Sequence, residues 1–287
     1  MDAETGDARM SDSLIQPQRL AAARCHDRAC MLCEHRCGAA RDSGERGPCK
    51  AGTEARVFRH RVEYGEEAEL VPSHLFYLSG CDLRCVFCIA GLDAFDPSRG
   101  GVLTSEWFNA CVEWGRGQGA RNIQWVGGEP TIHLPRVLEV MALCPKLPPV
   151  VWKSDFYGTP EAFDLLEGVV DVYVADLKFG NEACAKRLSG VDGYMPIVCR
   201  NLLRVAQQPA ARLIVRHLLL PGHEECCYRP ILHWLRAHLP QVPLSLRDSY
   251  MPSWRAKRFD ELSAPLSPRA GSAARGLAAA FNLTVIQ

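Results

Sequence analysis

The sequence carries no excess of either charge, since 33 Lys and Arg residues balance 33 Asp and Glu residues over 287 positions. That balance excludes the bulk positive field that draws a protein to nucleic acid or to an anionic membrane, so neither is expected as a partner. Aromatic residues are few, at 8%, and too few lie near the short basic patch Arg255, Lys257 and Arg258 to stack bases. The patch reads as a solvated face. Met1 to Gln18 lacks the apolar core of a signal peptide, which argues for a reducing, cytoplasmic setting. Cysteine, by contrast, is plentiful, at fourteen residues. In a reducing compartment these read as metal ligands or buried apolar residues rather than as a disulfide framework.

The most informative stretch is Tyr77-Leu78-Ser79-Gly80-Cys81-Asp82-Leu83-Arg84-Cys85-Val86-Phe87-Cys88, three cysteines on a short loop after an apolar run, with no fourth beside them. A [4Fe-4S] cluster is usually held by four cysteines, so a loop with three leaves one iron open to a small molecule. The blander reading is a structural zinc site, but such sites are closed by four ligands, and His74 and Cys111 are poorly placed to supply the fourth. The spacing C-x3-C-x2-C, with an aromatic residue before the last cysteine and Ser-Gly before the first, resembles the cluster loop of the radical S-adenosylmethionine (SAM) enzymes. The resemblance implies that Cys81, Cys85 and Cys88 hold a [4Fe-4S] cluster and that SAM chelates the open iron. An electron from the cluster then splits the sulfonium to a 5′-deoxyadenosyl radical, the cofactor carrying the hard chemistry.

Residues 1–24 lack periodicity and read as a flexible tail with at most a short helix near Leu20. Residues 25–71 form a cysteine-rich appendage, in which the alternating stretch 55–64 before Gly65 predicts a small hairpin. Residues 72–255 form the core, and residues 256–287 a C-terminal helical extension with an Ala-rich helix over 273–281. In the core, short apolar runs at 74–79, 122–126, 149–153, 170–176, 212–220 and 242–247 read as buried strands. Helical stretches at 105–117, 134–143, 160–166, 183–206 and 225–239 alternate with them. Such alternation predicts an α/β fold of parallel βα units. Six strands match the partial (β/α)6 TIM-type barrel of the resembled superfamily, here with a small cysteine-rich N-terminal appendage.

In barrels of this type the chemistry sits at the C-terminal ends of the strands, and polar residues follow each run. Gly127-Gly128-Glu129-Pro130 matches the superfamily's second motif, whose backbone binds the SAM amino group. Glycine there lets the chain approach a ligand without a Cβ clash, although a Gly-Gly turn ending a strand also has a plain structural reading. Asp176-Leu177-Lys178 and the 215–222 stretch resemble glycyl-radical activating enzymes, which implies that Asp176, Lys178 and His217 contact SAM. An interstrand ion pair closing the barrel is the alternative. Ser154 either binds the SAM carboxylate or ribose, or caps a helix. Further similarity, at Gly65-Glu66-Glu67, 76–81, 175–178, 185–189 and 216–222, places residues 30–252 beside the uncharacterised homologues of pyruvate formate-lyase activating enzyme.

The group Cys30-x2-Cys33-x3-Cys37-x11-Cys49 recurs in that branch and looks like a closed metal site, for zinc or for a second iron-sulfur cluster. Cys25, His26 and His35 are competing ligands or surface residues. The six scattered cysteines, Cys111, Cys144, Cys184, Cys199, Cys226 and Cys227, read as small buried hydrophobes. The chain lacks a ferredoxin-like cysteine insertion after Cys88, so a low-potential donor of flavodoxin or ferredoxin type is expected to supply the electron. Candidate substrates are a glycyl-radical-type protein partner, a small metabolite or a peptide. The competing class is a non-catalytic iron-sulfur electron-transfer protein, which predicts a fourth protein ligand for the core cluster.

Overall fold

The computed structural model describes residues 15–65 and 67–286. Glu66 and residues 1–14 of the expected tail lie outside these. Within the rest of that tail is a helix, α1 (Pro17–Arg28), longer than the short helix expected near Leu20. Its Leu-Ala-Ala-Ala-Arg segment favours helix intrinsically, and tertiary contacts hold it: Arg19 donates to the Leu165 carbonyl at 3.0 Å, and Arg24 pairs with Glu139. The amphipathic pattern is weak because α1 buries little beyond Ala23.

Strand β1 (Arg56–Glu63) pairs antiparallel with β2 (Ser73–Leu78). The hairpin expected inside the appendage therefore joins the appendage to the core sheet. After α2 (Leu92–Phe95), the short β3 (Gly101–Val102) edges β1 on its other side. The chain continues through α3 (Ser105–Gly117), β4 (Asn122–Gly127), α4 (Leu134–Ala142), β5 (Val150–Ser154), α5 (Pro160–Leu166) and β6 (Val172–Asp176). It ends with α6 (Glu182–Ser189), α7 (Tyr194–Ala206), β7 (Arg212–Leu218), α8 (Arg229–His238), β8 (Leu244–Arg247), α9 (Pro268–Ala280) and β9 (Val285–Ile286). Strands β2, β4, β5, β6, β7 and β8 lie side by side in that order and all parallel, as the alternation predicted, and β9 adds a further parallel strand.

Local chemistry sets the helix boundaries. Thr104 and Thr159 accept the amides of Trp107 and Ala162 and so cap α3 and α5. The single helix expected over 183–206 is two, because Gly190 and Gly193 take left-handed φ values of 81° and 65° between them. The helix expected over 225–239 opens instead as a π turn, Glu224–Tyr228. Pro230 has no N–H to give the carbonyl four residues back, and that carbonyl, on Cys226, accepts from Asn181 Nδ2 at 2.5 Å.

Strand alternation sorts the two faces of the sheet. Trp125, Trp152, Tyr173 and Val215 pack into the large core shared with the helices. Val151, Val172, Val174 and Ile214 face the other way and gather around Leu70, which plugs the floor of the concave side. Full burial of a leucine is worth about 1.5–3 kcal/mol. Above Leu70 sits Glu67, fully buried, with Ser245 Oγ at 3.0 Å, Arg216 at 3.2 Å, Lys153 at 3.4 Å and Arg247 at 3.6 Å. One carboxylate thus ties together β5, β7 and β8. No helix among the described residues is long and apolar enough to cross a membrane.

Candidate iron-sulfur and SAM site

The three-cysteine loop leaves β2 through Gly80, whose φ of 94° turns the chain across the strand ends. Backbone bonds fix it on three sides. Ser79 N–H donates to the Arg56 carbonyl at 2.9 Å, His133 Nε2 to the Ser79 carbonyl at 2.6 Å, and the amides of Arg84 and Val86 to the carbonyls of Ser189 and Leu188, both at 2.9 Å. Cys81 and Cys85 are buried and Cys88 is half-buried. Burial pushes all three thiols up; the Lys178 ammonium opposes this at Cys85 and Cys88. Among the described residues, these three sulfurs do not fall into a set of ligand atoms within 4.8 Å of one another. A single ion needs such a set, whereas a cubane spreads its thiolates roughly 6 Å apart. The three sulfurs are therefore not gathered around one ion.

Gly127 and Gly128 answer to a neighbour within the chain, whatever ligand they meet. A Cβ on Gly127, whose φ is 117°, would lie 2.3 Å from the Leu78 amide nitrogen, and one on Gly128 would lie 1.8 Å from the Gly80 carbonyl oxygen. The end of β4 therefore runs in backbone contact with the cysteine loop, with Gly128 N–H donating to the Leu78 carbonyl at 2.7 Å and Glu129 N–H to the Gly80 carbonyl at 2.9 Å. Pro130 is buried at the start of the 3-10 turn that follows.

Glu129 is the centre of a buried polar knot. Its Oε1 accepts from the Thr131 amide at 2.9 Å and from Ser154 Oγ at 2.8 Å, and its Oε2 accepts from the Asp155 amide at 2.9 Å. Ser154 thus holds Glu129, and the cap of α5 falls to Thr159. Burial, then the Asp155 carboxylate, pushes the Glu129 carboxyl up to about 8. Asp82, pushed up to about 7 by burial and then by Glu129, lies with Asp155 and Cys81 in one group of ligand atoms within 4.8 Å. Asp82 was not singled out from the sequence; its signal was its place inside the cysteine loop, where a charged residue has no solvent.

Across the rim, Lys178 Nζ donates to Asp176 Oδ2 at 2.7 Å, and Arg216 Nε lies 3.7 Å from Asp176 Oδ1. Burial opposes both charges, yet Asp176 holds Lys178 protonated and Lys178 with Arg216 holds Asp176 ionised. Tyr194 Oη donates to the Asp176 carbonyl at 2.9 Å and accepts from the Lys178 amide at 2.8 Å, so the pair is rigid. His217 is not part of this group. Its Nδ1 donates to the Leu177 carbonyl at 2.7 Å, and its ring stacks on Tyr228 at 5.2 Å among the helices. Arg216, one residue earlier, takes the concave face, an outcome that strand alternation forecasts.

The appendage packs on the same rim. His35 Nε2 donates to the Asp82 carbonyl at 2.9 Å, Arg41 donates to the Ile132 carbonyl at 2.6 Å, and Cys33 bridges to Gly158. Cys30, Cys33 and Cys49 are buried and Cys37 is exposed. Among the described residues, these four form no set of ligand atoms within 4.8 Å. Of the six cysteines expected to be plain buried hydrophobes, Cys184, Cys226 and Cys227 instead converge with His223. Cys226 is exposed.

No family model matches the chain. It is similar to the uncharacterized protein MJ0674 of Methanocaldococcus jannaschii, with 35% identity over 268 residues that cover 90% of this chain and 76% of that protein. The chain belongs to the family of that archaeal protein. Among solved structures, SuiB of Streptococcus suis bound to S-adenosylmethionine superposes with a TM-score of 0.55 at 12% identity, over 71% of this chain and 47% of SuiB. A radical SAM methyltransferase from Sphaerobacter thermophilus gives a TM-score of 0.55 at 16% identity, over 74% of this chain and 65% of the other. The chain spans about half the length of SuiB. At these identities the likeness is one of fold, and the family has the α/β fold of radical SAM enzymes.

Proposed function

We propose that this protein is a radical SAM enzyme in which Cys81, Cys85 and Cys88 hold a [4Fe-4S] cluster. The observation that carries the reading is the buried three-thiol loop, without a fourth thiol ligand in its loop, at the strand-end rim of a fold shared with a protein solved with SAM bound. Such a cluster, when reduced, cleaves bound SAM to methionine and a 5′-deoxyadenosyl radical. The residues around it have separable tasks. Glu129, kept near neutrality by burial, regains its charge beside a ligand ammonium group and so selects one. Ser154 and Thr131 hold that carboxyl in place, and Lys178 and Asp176 offer a rigid cation and anion for the carboxylate and ribose of SAM. Leu70 and Glu67 seal the floor, which keeps water from the reacting centre.

The substrate in this reading is a peptide or protein segment that gives up a hydrogen atom. The likeness to SuiB bound to its precursor peptide supports it, at a TM-score of 0.52 and 12% identity. So do Asp176-Leu177-Lys178 and 216–222, which resemble stretches of the activating enzymes of glycyl-radical proteins. A cleft of about 470 Å³ beside the loop, where Lys50, Arg84 and Arg255 outnumber Asp96, suits an acidic flavodoxin or ferredoxin in a cytoplasmic setting. The N-terminal group Cys30, Cys33, Cys37 and Cys49, whose sulfurs form no close set for a single ion, is in this reading a candidate for a second cluster.

The test is anaerobic reconstitution with iron and sulfide, reduction, addition of SAM and chromatography of the nucleoside products. The wild-type chain is expected to form 5′-deoxyadenosine and Cys85→Ala to form none. A reconstituted wild-type chain that binds no SAM would sink the proposal and leave an iron-sulfur electron carrier.

A further inference from the structure

We propose that Cys184, His223, Cys226 and Cys227 form a second, closed metal site that binds one zinc ion and staples the loop after β6 to the loop after β7. Zinc bonded tetrahedrally to thiolates at about 2.3 Å and to imidazole nitrogen at about 2.0–2.1 Å sets its ligand atoms about 3.8 Å apart for two sulfurs and about 3.6 Å apart for sulfur and nitrogen. The structure has these separations. Cys184 Sγ and Cys226 Sγ are 3.8 Å apart, and His223 Nδ1 lies 3.5 Å from Cys184 Sγ, 3.3 Å from Cys226 Sγ and 3.7 Å from Cys227 Sγ. All four ligand atoms lie within 4.8 Å of one another. A [4Fe-4S] cubane does not fit, because it spreads its thiolates roughly 6 Å apart.

Polar groups, and not only apolar side chains, surround these sulfurs. Asn181 uses its carbonyl oxygen to cap α6 at the Cys184 amide, 2.8 Å away, and turns its Nδ2 toward Cys184 Sγ at 3.2 Å and Cys227 Sγ at 3.5 Å. Such a donor stabilises sulfur that carries negative charge. Gly180 has to be glycine, since a Cβ there would lie 2.1 Å from the Cys227 carbonyl oxygen. On the far side of the imidazole, buried His223 Nε2 has no hydrogen-bond partner, and Glu261 Oε1 stands 3.7 Å away, itself held by Arg187. Metal bound at Nδ1 would leave the proton on Nε2, and Glu261 stands on the side where a carboxylate accepts it in carboxylate–histidine–zinc sites.

With three thiolates and one imidazole the shell is complete, so the ion has no open position and its role is structural. Two loops far apart in sequence become one rigid element. One runs from Lys178 through Gly180 and Asn181 to Cys184. The other runs from Arg216 and His217 to the π turn, where Tyr228 stacks on His217. Zinc there fixes the rim on which Asp176, Lys178 and Arg216 stand. This site does not rest on the proposed radical reaction.

The test uses the full chain carrying Cys37→Ser and Cys85→Ala, which disables the N-terminal group and the cluster loop and leaves this tetrad intact. Purified anaerobically, it is expected to hold one zinc per chain by elemental analysis, with an X-ray absorption edge spectrum of three sulfurs and one nitrogen. Adding Cys226→Ser should remove that zinc. Should the triple variant fail to fold, Co2+ titrated into the zinc-stripped double variant answers alone, by tetrahedral ligand-field bands with thiolate charge transfer that zinc then abolishes. Absence of zinc and of cobalt bands, or a Cys184–Cys226 disulfide found by mass spectrometry in the anaerobic protein, would overturn the proposal.

Discussion

Two sulfur-rich groups share one rim of this sheet and differ in almost every physical respect. The Cys81, Cys85, Cys88 loop is contiguous in sequence, spreads its thiols, and leaves a ligand position open. The Cys184, His223, Cys226, Cys227 tetrad is drawn from two loops, holds its ligand atoms within 4.8 Å and closes its shell. The loop is braced by backbone hydrogen bonds from β1 and α6, while the tetrad is braced by the side chain of Asn181 and by an imidazole. Open sites do chemistry and closed sites hold structure. Here the second kind anchors the residues that line the first.

Substitutions that disable one group and spare the other sharpen the contrast. Gly128→Ala is expected to have the largest effect, because its Cβ would meet the Gly80 carbonyl at 1.8 Å and backbone cannot yield cheaply. The cost should be about 2–4 kcal/mol in a denaturant titration. The variant should fail to retain iron on reconstitution yet keep its zinc; loss of both metals together would break the comparison. Gly180→Ala should act in mirror image and more weakly, at about 1–3 kcal/mol, because its Cβ meets the Cys227 carbonyl at 2.1 Å. Zinc content should fall while the iron of the cluster loop is retained. Thr104→Ala removes the α3 cap far from both groups. It should lower stability by about 1 kcal/mol and leave both metal contents at wild-type levels.

The sequence reading succeeded where spacing is local. The apolar runs became the six parallel strands of the core, and α3 and α5 span 105–117 and 160–166 as the periodicity predicts. It is incomplete where a side chain's use depends on a distant neighbour. Ser154 looked like a ligand contact or a cap and is instead a hydrogen-bond donor to Glu129. His217 followed the resemblance, yet faces the helices, while Arg216 takes the concave side. The glycines of 127–128 suggest a ligand or a turn from sequence, and the structure adds a further demand, the backbone of the cysteine loop. Glu67, one carboxylate among many in the sequence, proves to be the buried tie among three strands.

By itself the sequence determined the βα alternation and the three-thiol loop. Both are short-range: hydrophobic periodicity selects an element within a dozen residues, and C-x3-C-x2-C confines its sulfurs to one loop by covalent reach alone. Only the tertiary structure decided that Cys184 meets Cys226, Cys227 and His223. Those residues are brought together by the parallel pairing of β6 with β7, which sets Asp176 beside Arg216, and by a π turn that Pro230 and Asn181 impose. A register of hydrogen bonds between strands some forty residues apart cannot be read from the spacing of the cysteines, because the chain between them is free to close in many ways until the sheet selects one.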